Sequence, residues 1–255
     1  MKIFQLTDEE QKQLNLIENT YYMRPILALF DEFISNYKPK VEAYIKAFDK
    51  IYELLIKAKP AVDKLLEKRQ KKGDLRDINQ ARKSIAGNAF SQLIVYLFLK
   101  NKQTGQIRAD IFITNSKSKV QVFDKVATIN VDGETQKPDC DLIIYTKTGN
   151  IESNKCIILS LKTSLRERAG QTYKWKLLME IATTDNPIKD KYNITYNSEE
   201  MPFVCFVTAN FYNEINNPQH RGMFKFFDKS FISKEIDSEF ISRLSSIIPF
   251  VNENL

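Results

Sequence analysis

Glycine and proline are scarce in this chain, 7 and 8 among 255 residues. With 43% hydrophobic residues, 17 Phe and 11 Tyr among them, that scarcity argues against disorder and the composition supports a sizeable core. Histidine occurs once, at His220, which argues against His-based zinc sites and catalytic triads. The three cysteines, Cys140, Cys156 and Cys205, are odd in number, widely spaced and set in or beside apolar runs. They read as reduced core thiols rather than a disulfide framework or a zinc site. No apolar run approaches the roughly 20 residues a membrane helix requires, and Met1-Lys2-Ile3-Phe4 leads straight into charged sequence rather than a signal peptide. The expectation is a cytoplasmic protein with no membrane partner. Internal repeats and low-complexity tracts are absent.

The formal net charge is +6, a mild bias toward a polyanionic partner that says nothing of fold. The length suits one large domain, or a core with a helical subdomain. From residue 8 to about residue 72 the pattern is helical. Ile26, Leu29, Phe30, Phe33 and Ile34 make one stripe; Val41, Tyr44, Ile45, Phe48, Ile51, Tyr52 and Leu55 make another. Pro60 and the run Lys68-Arg69-Gln70-Lys71-Lys72-Gly73 mark breaks, so residues 1–73 are read as an N-terminal helical subdomain and 74–255 as the core. Residues 75–101 contain a helix that is apolar nearly all round from Leu93 to Leu99, as in a buried element. Ser84 and Gly87 are candidates for a cap within it. Ala109–Asn115 and Val120–Asn130 are expected strands about the polar turn Ser116–Lys119, Met201–Thr208 a further buried strand. Asp185–Glu200 reads as a polar loop, and Lys234–Ile247 as the final helix.

The most informative stretch runs from Pro138 to Arg168. Two apolar runs, Leu142-Ile143-Ile144-Tyr145 and Ile157-Ile158-Leu159, flank Thr148-Gly149-Asn150 and predict a buried hairpin. Alternate residues of a strand share a face, which places Asp139 with Asp141 and Ser160 with Lys162. If the strands are neighbours, one or two carboxylates and an ammonium meet at the sheet rim. A hard divalent ion such as Mg2+ takes carboxylate oxygens, retained waters and a substrate phosphate, and a lysine beside it can orient water and stabilise developing charge. Asp141 is the first choice of principal ligand because the apolar strand starts directly after it; Asp139 follows closely. Turn aspartates before a strand, with a solvated lysine, are the plain alternative.

Pro138-Asp139 followed, after the polar interval, by Ser160-Leu161-Lys162 resembles the PD-(D/E)XK nuclease superfamily, in the variant with serine at the middle acidic position. The continuation Thr163-Ser164-Leu165-Arg166-Glu167-Arg168, with Gln171 beyond it, resembles type II restriction endonucleases whose targets contain CC/GG pairs. The resemblance implies that Lys162 is catalytic, that Arg166, Glu167 and Arg168 read C·G pairs, and that the carboxylate absent at Ser160 comes from the following helix. That helix is expected from about Glu167 to Asp185, with Leu177, Leu178 and Ile181 as its apolar stripe. Trp175 stands where a glutamate one turn after Gln171 is expected, so the third ligand is either Gln171 as a neutral oxygen or Glu180 through a bend. The base-reading chemistry is sound in itself. Arginine hydrogen-bonds guanine O6 and N7, glutamate accepts from cytosine N4, and each good bidentate contact contributes roughly 1–3 kcal/mol of discrimination.

The stretch from Arg82-Lys83 through Gly87 and Phe90 into the apolar helix resembles the helix before the first core strand of such enzymes, with Arg82 and Lys83 as candidates for backbone phosphate. The expected fold is α/β, a restriction-endonuclease-like mixed central sheet flanked by helices behind the helical subdomain. The resemblance implies Mg2+ as cofactor, double-stranded DNA as substrate, a homodimer for a palindromic target, and a cognate DNA methyltransferase as functional partner. Another DNA nuclease of the superfamily, or a DNA-binding protein with a decayed site, stays open at this point.

Overall fold

The computed structural model describes residues 4–148, 154–163, 169–210, 218–234, 236 and 239–255. The chain divides into two compact units, one within Met1–Ala109, Ile232–Asp237 and Arg243–Pro249, the other within Asp110–Phe231, Ser238–Ser242 and Phe250–Leu255.

The first unit is helical: α1 (Asp8–Asn19), α2 (Met23–Asn36), α3 (Ala43–Ala47), α4 (Ile51–Lys71) and α5 (Ile78–Gln103). Helix α1 starts at a capping box, in which Thr7 Oγ1 accepts from the Glu10 amide and the Thr7 amide donates to Glu10 Oε2. The same Glu10 pairs at 2.6 Å with Lys102 Nζ near the end of α5, both side chains almost fully buried. Pro60 does not break the chain as its residue type suggests, because α4 runs through it. The lost hydrogen bond lies on the exposed side, while Leu54, Ala58, Val62 and Leu66 continue one buried stripe past it. The break comes at Gly73, whose φ of +81° suits a residue without a Cβ. Helix α5 is capped by Asp77, whose carboxylate accepts from the Asn79 and Gln80 amides; Ser84 and Gly87 lie in its interior and cap nothing.

The second unit holds the sheet. Its strands are β1 (Ile111–Thr114), β2 (Ile129–Val131), β3 (Glu134–Gln136), β4 (Leu142–Thr146), β5 (Cys156–Lys162), β6 (Ile194–Thr195), β7 (Phe203–Thr208), β8 (Lys229–Ile232) and β9 (Ser242–Arg243). Among the described residues, one sheet runs in the order β1-β4-β5-β7-β8-β9 and a smaller one in the order β3-β2-β6. Strand β4 is antiparallel to both β1 and β5, whereas β7 is parallel to β5. The sheet is therefore mixed, and helices flank it: α6 (Phe123–Ala127), α7 (Ala169–Thr183), α8 (Pro187–Lys191), α9 (Pro218–Met223) and α10 (Ile247–Asn254). Every residue of β4 and β5 is buried, as expected of strands covered on both faces.

Four local expectations change. Residues 120–130 are not one strand. Val120, Phe123 and Val126 are buried at helical spacing, and the segment turns through α6 before β2 begins. The buried face of α7 is Trp175, Met179 and Ala182, while Leu177 is 37% exposed, so the helix is rotated from the Leu177-Leu178-Ile181 stripe. The polar segment 185–200 contains α8, with Asn186 capping it and Pro187 opening it, followed by β6. The last helix is α10, later than Lys234–Ile247, because residues 242–246 are used by β9 and a 3₁₀ turn whose Ser245 amide is held by buried Asp49 at 2.8 Å.

Candidate active site

The hairpin of β4 and β5 pairs Leu142 with Leu159 and Ile144 with Ile157. This register carries the residues just before β4 alongside the last residues of β5. The Asp141 amide donates to the Leu159 carbonyl at 3.0 Å, extending the ladder by one bond. Its carboxylate then turns back on β5. Asp141 Oδ2 accepts from the Leu161 amide at 2.7 Å and from Lys162 Nζ at 3.0 Å. Asp139 Oδ2 lies 3.6 Å from the same Nζ. Two carboxylates and one ammonium thus meet at the rim of the sheet, as alternation along the two strands demands.

Burial is uneven across the cluster. The Lys162 side chain is 9% exposed, Asp141 36% and Asp139 52%. The ammonium is held from within, its stem packed in the sheet, and the carboxylates open outward. Two anionic oxygens face this nearly buried ammonium, the pairing a buried charge requires. Ser160, on the Lys162 face of β5, is fully buried and presents no carboxylate. Cys140, between the aspartates, has its thiol pushed up to about 12, first by burial; Lys117 and Lys162 oppose this and the two aspartates add to it. The thiol therefore stays protonated and takes no part as a nucleophile at neutral pH. All three cysteines are free.

Among the described residues no group of three or more His, Cys, Asp or Glu side chains gathers to cage a metal. The donor set still fits Mg2+: two outward-facing carboxylates supply hard oxygens, and this ion characteristically binds through one or two carboxylates while keeping several waters.

The remaining expected residues lie as follows. Glu180 is not at this cluster. It pairs with Lys176 at 3.0 Å, and Lys176 in turn pairs with Asp228 at 3.0 Å. Asp228 is tied by its carboxylate to the amide of Val204, which is level with Ile158 on β5. That level is four residues before Lys162, about 13 Å along the strand at 3.3 Å per residue. The bend that would bring Glu180 in is not made, since Lys176 is buried and the acid serves it instead. Gln171 falls in the first turn of α7, its side chain outside what the structure describes. Arg166, Glu167 and Arg168 lie outside the described residues. Arg82, on α5 in the helical unit, bonds Asp63 at 2.7 Å and Asn79 at 3.2 Å, and Lys83 beside it is exposed.

One neighbour escaped sequence reasoning. Lys117 Nζ donates to the carbonyl of Pro138 at 3.1 Å, on the doorstep of Asp139. Its only sequence signal was a lysine in the polar turn after β1, which any solvated turn supplies.

No helix among the described residues is long and apolar enough to cross a membrane. Residues 113–250, more than half of the chain, match the family model described as BsaWI restriction endonuclease type 2. No curated protein matches the chain.

Proposed function

The chain belongs to the BsaWI family of type II restriction endonucleases, site-specific deoxyribonucleases, and from that premise we propose that Asp139, Asp141 and Lys162 form its hydrolytic centre. The observation that carries the reading is the Lys162 ammonium, its Nζ set 3.0 Å from Asp141 and 3.6 Å from Asp139 at adjoining strand tips. With serine at position 160, the motif resembles the serine variant of the PD-(D/E)XK pattern.

The residues divide the work as follows. Asp139 and Asp141 would hold Mg2+ through their carboxylates. When bound, that ion supplies Lewis-acid polarisation of a phosphate oxygen and a lowered pKa for water. Lys162 donates from a nearly dry position, so its hydrogen bonds are worth more than in water. It orients the attacking water and stabilises the charge that grows on the phosphoryl oxygens. A new bond forms from the water oxygen to phosphorus, the P–O bond opposite breaks, the attacking water's proton passes to solvent and the leaving oxygen takes a proton from solvent. The Leu161 amide keeps Asp141 aimed throughout, because a carboxylate held by a backbone donor does not swing away.

Specificity is assigned to Arg166, Glu167 and Arg168, with Gln171 following. This segment leads directly from β5 into α7, so a base reader there sits next in sequence to the hydrolytic lysine. The proposed target contains CC/GG pairs. A palindromic target calls for a two-fold symmetric homodimer, and an intracellular enzyme of this kind requires a cognate methyltransferase to shield host DNA. Arg82 and Lys83 are proposed phosphate contacts, Arg82 with its guanidinium oriented by Asp63.

Digestion of a plasmid of known sequence by purified protein, with and without Mg2+, tests the proposal. Discrete fragments whose mapped ends share a C·G-containing palindrome are expected, and none with chelator. Random degradation would remove the specificity assignment; intact plasmid under all divalent ions would remove the hydrolytic one.

A further inference from the structure

We propose that Lys117 is a positioning residue for the metal-binding carboxylate of Asp139; the inference rests on the assignment of Asp139, Asp141 and Lys162 as the hydrolytic centre. The two aspartates are held very differently. Asp141 is tied by the Leu161 amide and by Lys162, and its own amide continues the sheet. Among the described residues, the Asp139 carboxylate has one ionic partner, Lys162, at 3.6 Å. It stands on an arm outside the strand, beginning at Pro138, which offers no amide to the surrounding ladder. The polar handle of Pro138 is its carbonyl, and Lys117 Nζ occupies that carbonyl at 3.1 Å.

Topology places the lysine there. Thr114, the last residue of β1, pairs with Ile143 near the start of β4. The turn after β1 therefore reaches past the end of β4, toward the incoming arm. That turn is well tied. The Ser116 amide donates to Thr114 Oγ1 at 3.0 Å, the Ser116 and Ser118 hydroxyls lie 2.9 Å apart, and the Val120 amide donates to the Lys117 carbonyl at 3.1 Å. The ammonium also lies 5.5 Å from the ring centroid of Phe123, a fully buried residue, which adds a cation–π seat. A lysine held from a braced turn, on an aromatic face, and donating to the carbonyl one residue before a metal ligand fixes where that ligand points. Lys117 is exposed, yet these three constraints hold its ammonium in place.

Removing it should loosen Asp139 without touching Asp141 or Lys162. The test uses full-length Lys117→Met, Lys117→Arg and Asp141→Asn. Mn2+ binding is measured by calorimetry in the absence of DNA, and plasmid cleavage is followed across a Mg2+ titration. In Lys117→Met, both the Mn2+ Kd and the half-saturating Mg2+ concentration are expected to rise about five- to tenfold, the loss of one charge-assisted hydrogen bond. The plateau rate at saturating Mg2+ should stay within about threefold, and Lys117→Arg should recover most of the affinity. Metal curves that overlay the parent protein would overturn the proposal. So would a depressed plateau with unchanged Mn2+ affinity, which would make Lys117 a substrate contact instead. If Asp141→Asn still cleaves, the hydrolytic assignment itself falls; if it is inactive while Lys117→Met behaves as the parent, only the positioning role fails. Should Lys117→Met lower the melting temperature sharply, Lys117→Gln takes its place with the same outcomes.

Discussion

Replacing Lys162 with methionine separates chemistry from architecture at this site. The side chain is 9% exposed, and methionine conserves most of its unbranched stem, so no large cavity opens. What disappears is one ammonium facing two carboxylates that are themselves 36% and 52% exposed. Solvent can compensate carboxylates that open, so the stability change should be about 1 kcal/mol or less, a shift of roughly 2–4 °C at most for a chain of this size. The Leu161 amide continues to hold Asp141 at 2.7 Å. Catalysis should respond on another scale. Losing one preorganised donor to a developing oxyanion lowers the rate by about 10²–10³. Single-turnover cleavage of a plasmid carrying the mapped site, thermal denaturation, and mobility shift on the same site in Ca2+ give the three readings. The expected pattern is a rate loss of at least about a hundredfold with melting temperature and DNA affinity nearly unchanged. Cleavage within about tenfold of the parent would refute the assigned role; equal loss of binding and cleavage would make Lys162 a DNA contact rather than a catalytic group.

Further substitutions probe the surrounding assignments. Glu180→Gln should alter cleavage by less than about threefold, because its carboxylate serves Lys176 at 3.0 Å rather than the lysine cluster; inactivation with an intact fold would restore it as a ligand. Glu167→Ala should lose roughly 1–3 kcal/mol of discrimination at one C·G pair, measured as relative cleavage of single-substitution sites. In the helical unit, Lys102→Met alone strands a buried Glu10 carboxylate and should cost about 3–5 kcal/mol. The double change Lys102→Met with Glu10→Gln should be milder, and thermal melts of the cycle decide it. Alkaline pH should destabilise the fold through the thiols. Burial raises Cys140 and Cys156 to about 12 and Cys205 well above its ordinary 9.0. A folded pKa raised above the unfolded value means stability intact below pH 9 and lost as pH climbs toward 12. Cys205→Ala should flatten the fall in melting temperature above pH 9 by about one proton's worth; an unchanged slope would contradict it.

How far the sequence could be read follows from the kind of signal each residue sends. The β4–β5 hairpin was legible because two Ile/Leu runs of strand length flank Thr148 and its polar interval, and period-2 alternation places Asp141 and Lys162 without any knowledge of neighbours. Pairing then needed only one register. The mixed sheet followed, since Met201–Thr208 is apolar almost throughout and β7 is indeed a covered strand parallel to β5. The 120–130 segment misled because Val, Phe and Ile favour strands locally, while the burial of Val120, Phe123 and Val126 is a tertiary decision. Helix α7 misled in rotation rather than existence. Trp175 and Met179 carry more apolar surface than Leu177, and the helix turns to bury them. Glu180 belongs to the same lesson, since a helix rotated to bury Lys176 commits the acid four residues on to pairing with it. Lys117 was illegible because its contact spans the chain, from the turn after β1 to the arm before β4.

The polar ends of the hairpin do more than present the site; they also set the pairing that creates it. Strands β4 and β5 are buried on every residue, so a one-residue slip would exchange apolar side chains between two apolar faces at little hydrophobic cost. Alternation therefore cannot enforce the register as it does in a half-exposed sheet. The ends can. At one end Asp141 receives the Leu161 amide and the Lys162 ammonium; at the other, Thr146 Oγ1 receives the Lys155 amide at 2.9 Å and Asn154 Oδ1 the Thr148 amide at 2.8 Å. A slip would break both sets at once and leave buried donors without acceptors, at about 1–3 kcal/mol each. It would also send Lys162 and Asp141 to opposite faces. The groups assigned to hydrolysis thus take part in selecting the register that brings them together, so Asp141→Leu should disturb strand pairing as well as activity, a loss that added metal cannot repair.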